Sequence, residues 1–159
     1  MKLKRIIPIL LLTAVLLAGC KMTAYEPVIS DFEQSAFVTV GEKEYNCDIS
    51  MKENIVTVTA TSSNAIGLTL IYNGDSVICK YFDLEYEITS DKIDDTNIAK
   101  AIYDAFEVIK TEPAKASKTA DGFRYDGKTA LGDFTVLQYD DYSYKSIEYK
   151  DANIKVIFD

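Results

Sequence analysis

From Phe32 to Ile88 apolar residues recur at every second position. Val38 and Val40 alternate with Phe37 and Thr39, and Val56, Val58 and Ala60 alternate with threonines 57, 59 and 61. Leu68, Leu70 and Tyr72 continue the pattern. This period of two, carried by β-branched and aromatic residues, predicts strands near 36–41, 44–51, 54–61, 67–73 and 76–82, with a short sixth extended piece at 84–88. Turn residues separate them at Gly41-Glu42-Lys43, Lys52-Glu53-Asn54, Ser62-Ser63-Asn64 and Asn73-Gly74. The period then changes. Ile98, Ala101, Ile102, Ala105, Phe106 and Ile109 recur at three and four, which predicts an amphipathic helix over 96–110. Asp94 or Asp95 is expected to cap it, and Pro113 prevents its continuation. Thr111 to Ala120 reads as a polar connector. Strands return at 123–126, 130–139, 144–149 and 154–158, with turns at Asp126-Gly127, Asp140-Asp141 and Asp151-Ala152-Asn153.

The order is meander, helix, meander. One helix cannot cover both faces of a flat sheet of nine strands, so the expected fold is mainly β (α+β). A strongly curved antiparallel sheet, a half-barrel of about nine strands, wraps one amphipathic helix on its concave side. The alternative is a sheet closed into a barrel with the helix capping one end. In the half-barrel, Val56, Val58, Leu68, Leu70, Ile102 and Phe106 face one another and are the residues expected to line an apolar ligand cavity. Several strands are apolar on both faces, which turns Ile71, Ile78 and Phe82 outward as an interaction patch. Tyr142 and Tyr144, in a hairpin that also holds Tyr139 and Tyr149, offer a second patch, since tyrosine is enriched at interfaces.

The first twenty residues have another character. Met1 to Arg5 is basic, Ile6 to Leu17 is almost wholly apolar, and Ala18-Gly19 is a small pair before Cys20. The apolar run is too short to span a bilayer, which takes ~20 residues. It reads as an export signal. Leu17-Ala18-Gly19-Cys20 resembles the lipobox of bacterial lipoproteins. That resemblance implies diacylglycerol on the Cys20 thiol, cleavage before it, and anchoring on the extracytoplasmic face of the cell membrane. The chain then divides into a signal peptide (1–19), a lipidated cysteine with its tether (20–31) and one domain (32–159). At ~3.3 Å per residue, the stretch from Lys21 to Ser30 reaches at most about 30 Å.

Loss of residues 1–19 removes three of the 17 basic residues and none of the 25 acidic ones, and takes the net charge from −8 to −11. Such a field repels phosphate backbones, so nucleic acid is not an expected partner. Outside the cytoplasm a disulfide between Cys47 and Cys79 is permitted. A meander places them on the second and fifth strands, where two buried free thiols are the simpler expectation.

Candidate chemistry is sparse. The chain has no histidine, which excludes Ser-His-Asp and Cys-His catalysis and histidine metal sites. No Ser-x-x-Lys opens the helix. Asp94-Asp95 is explained by capping, Asp140-Asp141 by a turn, and Asp83, Glu85 and Glu87 by a solvated strand face. There is no EF-hand loop, and the seven glycines are scattered at turns with no phosphate loop among them. The expectation is a binding protein with no enzymatic activity, no cofactor and no metal.

The domain resembles clostridial-type secreted lipoproteins with the lipoprotein-carrier half-barrel, a LolA/LolB-like fold. The stretches that carry the likeness are Phe37 to Tyr45, Ala65 to Leu70 leading into Asn73-Gly74, Cys79-Lys80-Tyr81, the helix at Ile98 to Ile109, and Ile154 to Phe158. The carriers begin with a helix, and here Asp31 to Ala36 has room for no more than one turn. The resemblance implies a concave face that binds an acyl chain or other apolar ligand. In other members it implies docking of an envelope protein.

Overall fold

The computed structural model describes residues 28–62, 65–112 and 116–159. Cys20, the signal segment and most of the tether lie outside them, as do part of the Ser62-Ser63-Asn64 turn and Pro113. The N-terminal meander is β1 (Phe32–Val40), β2 (Lys43–Lys52), β3 (Ile55–Ala60), β4 (Thr69–Tyr72), β5 (Ser76–Tyr81) and β6 (Leu84–Thr89). Helix α1 (Ile98–Thr111) follows, and then β7 (Ala116–Lys118), β8 (Gly122–Thr129), β9 (Gly132–Tyr139), β10 (Tyr144–Tyr149) and β11 (Ile154–Phe158).

All eleven strands form one open antiparallel sheet in the order β6-β5-β4-β3-β2-β1-β11-β10-β9-β8-β7. The two meanders meet where β1 pairs with β11, Val38 opposite Val156. The chain therefore reaches one edge at β6, crosses the concave face as α1, and resumes at the other edge at β7. The helix touches β3 and β4 on one side and β8 on the other. Five strands separate β3 from β8. In a flat sheet that is about 29 Å at ~4.8 Å per strand, and a helix is only ~10–12 Å across. Contact with both requires the sheet to curl around the helix. This is the expected half-barrel, with eleven strands in place of about nine.

Its core is the inner rows of β1–β5 and β8–β11 against the apolar face of α1. Phe106 lies at the centre of an aromatic cluster, 5.7 Å from Phe32 and 4.9 Å from Tyr144 between ring centroids. Tyr149 donates its hydroxyl to the Ala101 carbonyl at 2.9 Å and ties β10 to the helix. Buried Gln138 closes the end of the interior where the described chain begins. It donates to the carbonyls of Val28 (3.2 Å) and Tyr142 (2.7 Å) and accepts from the Tyr125 hydroxyl (3.0 Å).

Four local expectations are corrected. β1 starts at Phe32, earlier than the alternation suggested, because the Phe32 ring packs 4.7 Å from Tyr144 and 5.7 Å from Phe158. The connector contains β7, which pairs with β8. Asp126-Gly127 is no turn but lies inside β8, opposite Thr135 and Phe134. A Cβ on Gly127 would stand 2.4 Å from the Phe134 ring and 3.0 Å from Val108, so the glycine lets strand and helix close up. Asn97, not Asp94 or Asp95, caps α1, accepting from the amides of Ala99 (3.1 Å) and Lys100 (3.2 Å). Asp94 instead accepts from the amide and hydroxyl of Thr96. Asp95 pairs with Lys100 at 2.9 Å.

Candidate functional site

The interior is filled around Phe106 and open at the opposite end of the strands. There a cleft of about 310 Å³ lies between the sheet and the start of α1. Its walls come from Val38 and Val40 at the end of β1, and from Lys43, Tyr45 and Cys47 at the start of β2. Val58 and Ala60 on β3, Ala65, Leu68 and Leu70 around the entry to β4, and Thr96 to Ile98 at the head of the helix complete it.

Strand pairing explains this gathering. Val38 stands opposite Tyr45 and Val40 opposite Lys43. Cys47 stands opposite Ala60, and Val58 opposite Leu70. Cross-strand partners share a face, so these pairs project to the concave side together. The helix begins only at Ile98 and leaves this end of the sheet uncovered. Ala60 and Ala65 then leave space where larger side chains would fill it.

The head of α1 is held firmly beside the cleft. Burial disfavours the Lys100 ammonium, but bonds and charge from Asp104 (2.6 Å) and Asp95 (2.9 Å) more than offset this and hold it above its ordinary value. On the cleft wall, burial pushes the Cys47 thiol up to about 11, and the charge of Asp48 adds to the effect. The cleft is thus lined mostly by aliphatic side chains and one neutral thiol, with Lys43, Tyr45, Thr96 and Asn97 as its polar lining residues. It can exclude water from an apolar chain and hold a polar head at its mouth.

Of the six residues expected to line a cavity, Val58, Leu68 and Leu70 do so. Val56, Ile102 and Phe106 do not border it; they are buried in the core between the sheet and the helix. Val38, Val40, Tyr45, Cys47 and Ile98 were missed. The spacing-two pattern of the four strand residues and the helical spacing of Ile98 are visible in the sequence, but the end of the sheet that the helix leaves bare is not.

The outward patches also divide. Ile71 and Ile78 are half-buried cross-strand partners on the convex face. Phe82, 79% exposed, sits at the tip of the β5–β6 hairpin with a positive φ of 51°. Tyr142 is 43% exposed and stacks on Phe123 with ring centroids 5.7 Å apart. Tyr144 is no surface residue. It is 2% exposed, because β10 turns it inward against Phe32 and Phe106. Cys47 and Cys79 are both free.

No protein-family model and no curated protein matches this chain. Among solved structures it is similar to an uncharacterized conserved protein from Thermus thermophilus, with 6% identity and a TM-score of 0.47 over 92% of this chain and 84% of that one. It is also similar to a LolA superfamily protein from Nitrosomonas europaea, with 9% identity and a TM-score of 0.34 over 79% of this chain and 67% of that one.

Proposed function

We propose that this protein is a non-catalytic binding module of the cell envelope that takes the apolar chain of an amphiphile into the cleft between β1–β4 and α1. The observation that carries this reading is the cleft itself, a volume of about 310 Å³ with a mostly apolar wall at the end of the half-barrel that the helix leaves bare. That volume meets the lower bound of ligand pockets, roughly 300 Å³. Burial of methylene groups supplies the affinity, about 0.8 kcal/mol for each. Lys43 at the cleft favours an anionic head over a cationic one. In this reading acylated Cys20 holds the domain at the membrane and the cleft performs the binding.

The chain contains no tryptophan, so Tyr45→Trp places a sole indole at the cleft. Addition of decanoic acid to that variant is expected to shift its emission to the blue. Unchanged emission, together with an unchanged mass in native mass spectrometry after incubation with cell lipids, overturns the reading.

A further inference from the structure

An open sheet has two free edges, and here they differ. β7 is three residues long, and its Lys118 is paired with Asp140 and lies 4.4 Å over the Phe123 ring. It is a blunted edge. β6 is six residues long, Leu-Glu-Tyr-Glu-Ile-Thr, with no proline and no lysine. Its pairing with β5 runs through six consecutive positions without a bulge. Among the described residues β5 is its only partner strand. The Ser90 amide donates to the Asp75 carbonyl at 2.8 Å, which sets the ladder. By alternation, Leu84, Tyr86 and Ile88 direct their backbone groups to β5, and Glu85 and Glu87 direct theirs out of the sheet.

The side chains of this edge specify what can join it. On the concave side Leu84 is 73% and Tyr86 68% exposed, large apolar groups that no described element covers. Tyr86 continues the cross-strand row Val58, Leu70, Cys79 that leads back to the cleft. On the convex side stand Glu85, paired with Lys80 at 2.9 Å, and Glu87, which accepts from the Ser76 hydroxyl at 2.6 Å. A second copy of this chain is a poor occupant. Antiparallel pairing about Tyr86 sets Glu85 directly against Glu87 of the copy, and like charges directly opposite are destabilising.

We infer that the free edge of β6 accepts, as a twelfth strand, an extended peptide segment whose residues alternate apolar and basic. The backbone ladder supplies attachment, Leu84 and Tyr86 take the apolar residues, and Glu85 and Glu87 select the basic ones. This site is separate from the cleft and holds or fails independently of the ligand proposed there.

The probe is an acetylated, amidated heptapeptide of alternating lysine and valine, with the glutamate–valine peptide as its counterpart. Backbone hydrogen exchange of the chain as recovered from expressing cells is read by mass spectrometry. The expected result is slowed exchange across 84–89 with the lysine peptide, at about tenfold lower concentration than with the glutamate peptide. Joint Glu85→Lys and Glu87→Lys substitution is expected to reverse that preference. Glu87→Pro, which removes an outward amide without touching the β5 ladder, is expected to abolish the protection while far-ultraviolet circular dichroism stays unchanged. Equal response to both peptides, or protection that spares 84–89, overturns the inference. So does a chain that sediments as a dimer with β6 already protected, since a second copy then holds the edge.

Discussion

Ligand length is the perturbation that tests the cleft most directly. A methylene occupies roughly the volume of a water molecule in the liquid, ~30 Å³. The cleft volume of about 310 Å³ therefore accommodates a chain of about ten carbons. Each methylene moved from water to the apolar wall contributes about 0.8 kcal/mol, close to fourfold in Kd. Between six and ten carbons the gain is roughly 3 kcal/mol, or about 200-fold. Beyond ten the added methylenes lie outside the wall and the slope falls towards zero. The assay is titration of the Tyr45→Trp chain with straight-chain fatty acids of six to sixteen carbons, each below its micelle concentration. The Leu70→Asp chain, which puts a carboxylate into the wall, is expected to lose the slope altogether. Two results refute the reasoning. Affinity that climbs evenly to sixteen carbons describes adsorption on an open surface. A slope that survives Leu70→Asp places binding elsewhere.

Phe106→Ala removes a fully buried ring at the centre of the aromatic cluster, and is expected to cost about 3–5 kcal/mol in urea unfolding. Leu84→Ala on the exposed edge is expected to cost no more than about 0.5 kcal/mol, and a larger loss would show that this side chain is covered. Asn97→Ala removes the cap of α1 and is expected to cost about 1 kcal/mol in the same assay. The Cys47 thiol, raised by burial from 9.0 to about 11, carries about one-hundredth of the thiolate of an ordinary cysteine at pH 8. Alkylation monitored by peptide mass should therefore be slow at Cys47, accelerate as pH rises towards 11, and slow again when decanoic acid fills the cleft. The same shift has a stability consequence. The folded state keeps its proton between pH 9 and 11 while the unfolded state loses it, so this contribution is present below pH 9 and lost as pH rises through that window.

Much of the fold was legible because alternation is a local property. The apolar rows at Val56-Val58-Ala60 and Ile154-Val156-Phe158 announce strands with one inward face, and the spacing of Ile98 to Ile109 announces a helix with one apolar side. Errors arose where a local sign served a different contact. Gly127 read as a turn, yet its missing Cβ makes room for Phe134 and Val108. Asp94 and Asp95 read as caps, but one closes its own turn on Thr96 and the other pairs with Lys100. Tyr144 read as a surface tyrosine, and the strand it belongs to turns it into the core.

The sequence by itself determined most of the elements, most of their inward faces and the need for a curved sheet, since one amphipathic helix and many half-apolar strands allow few ways to bury their faces. It also carried the basic-apolar-small-Cys20 pattern, which is written in consecutive residues and needs no fold to be read. Only the tertiary structure decided where the interior is full and where it is open. Val56 and Val58 have the same character and stand on the same strand face. Both are buried in the core, but only Val58, nearer the beginning of the helix, also borders the cleft. That difference depends on where a 14-residue helix, about 21 Å long at ~1.5 Å per residue, comes to rest on an eleven-stranded sheet. Its resting place is set by contacts between residues far apart in the chain, and no local pattern encodes it.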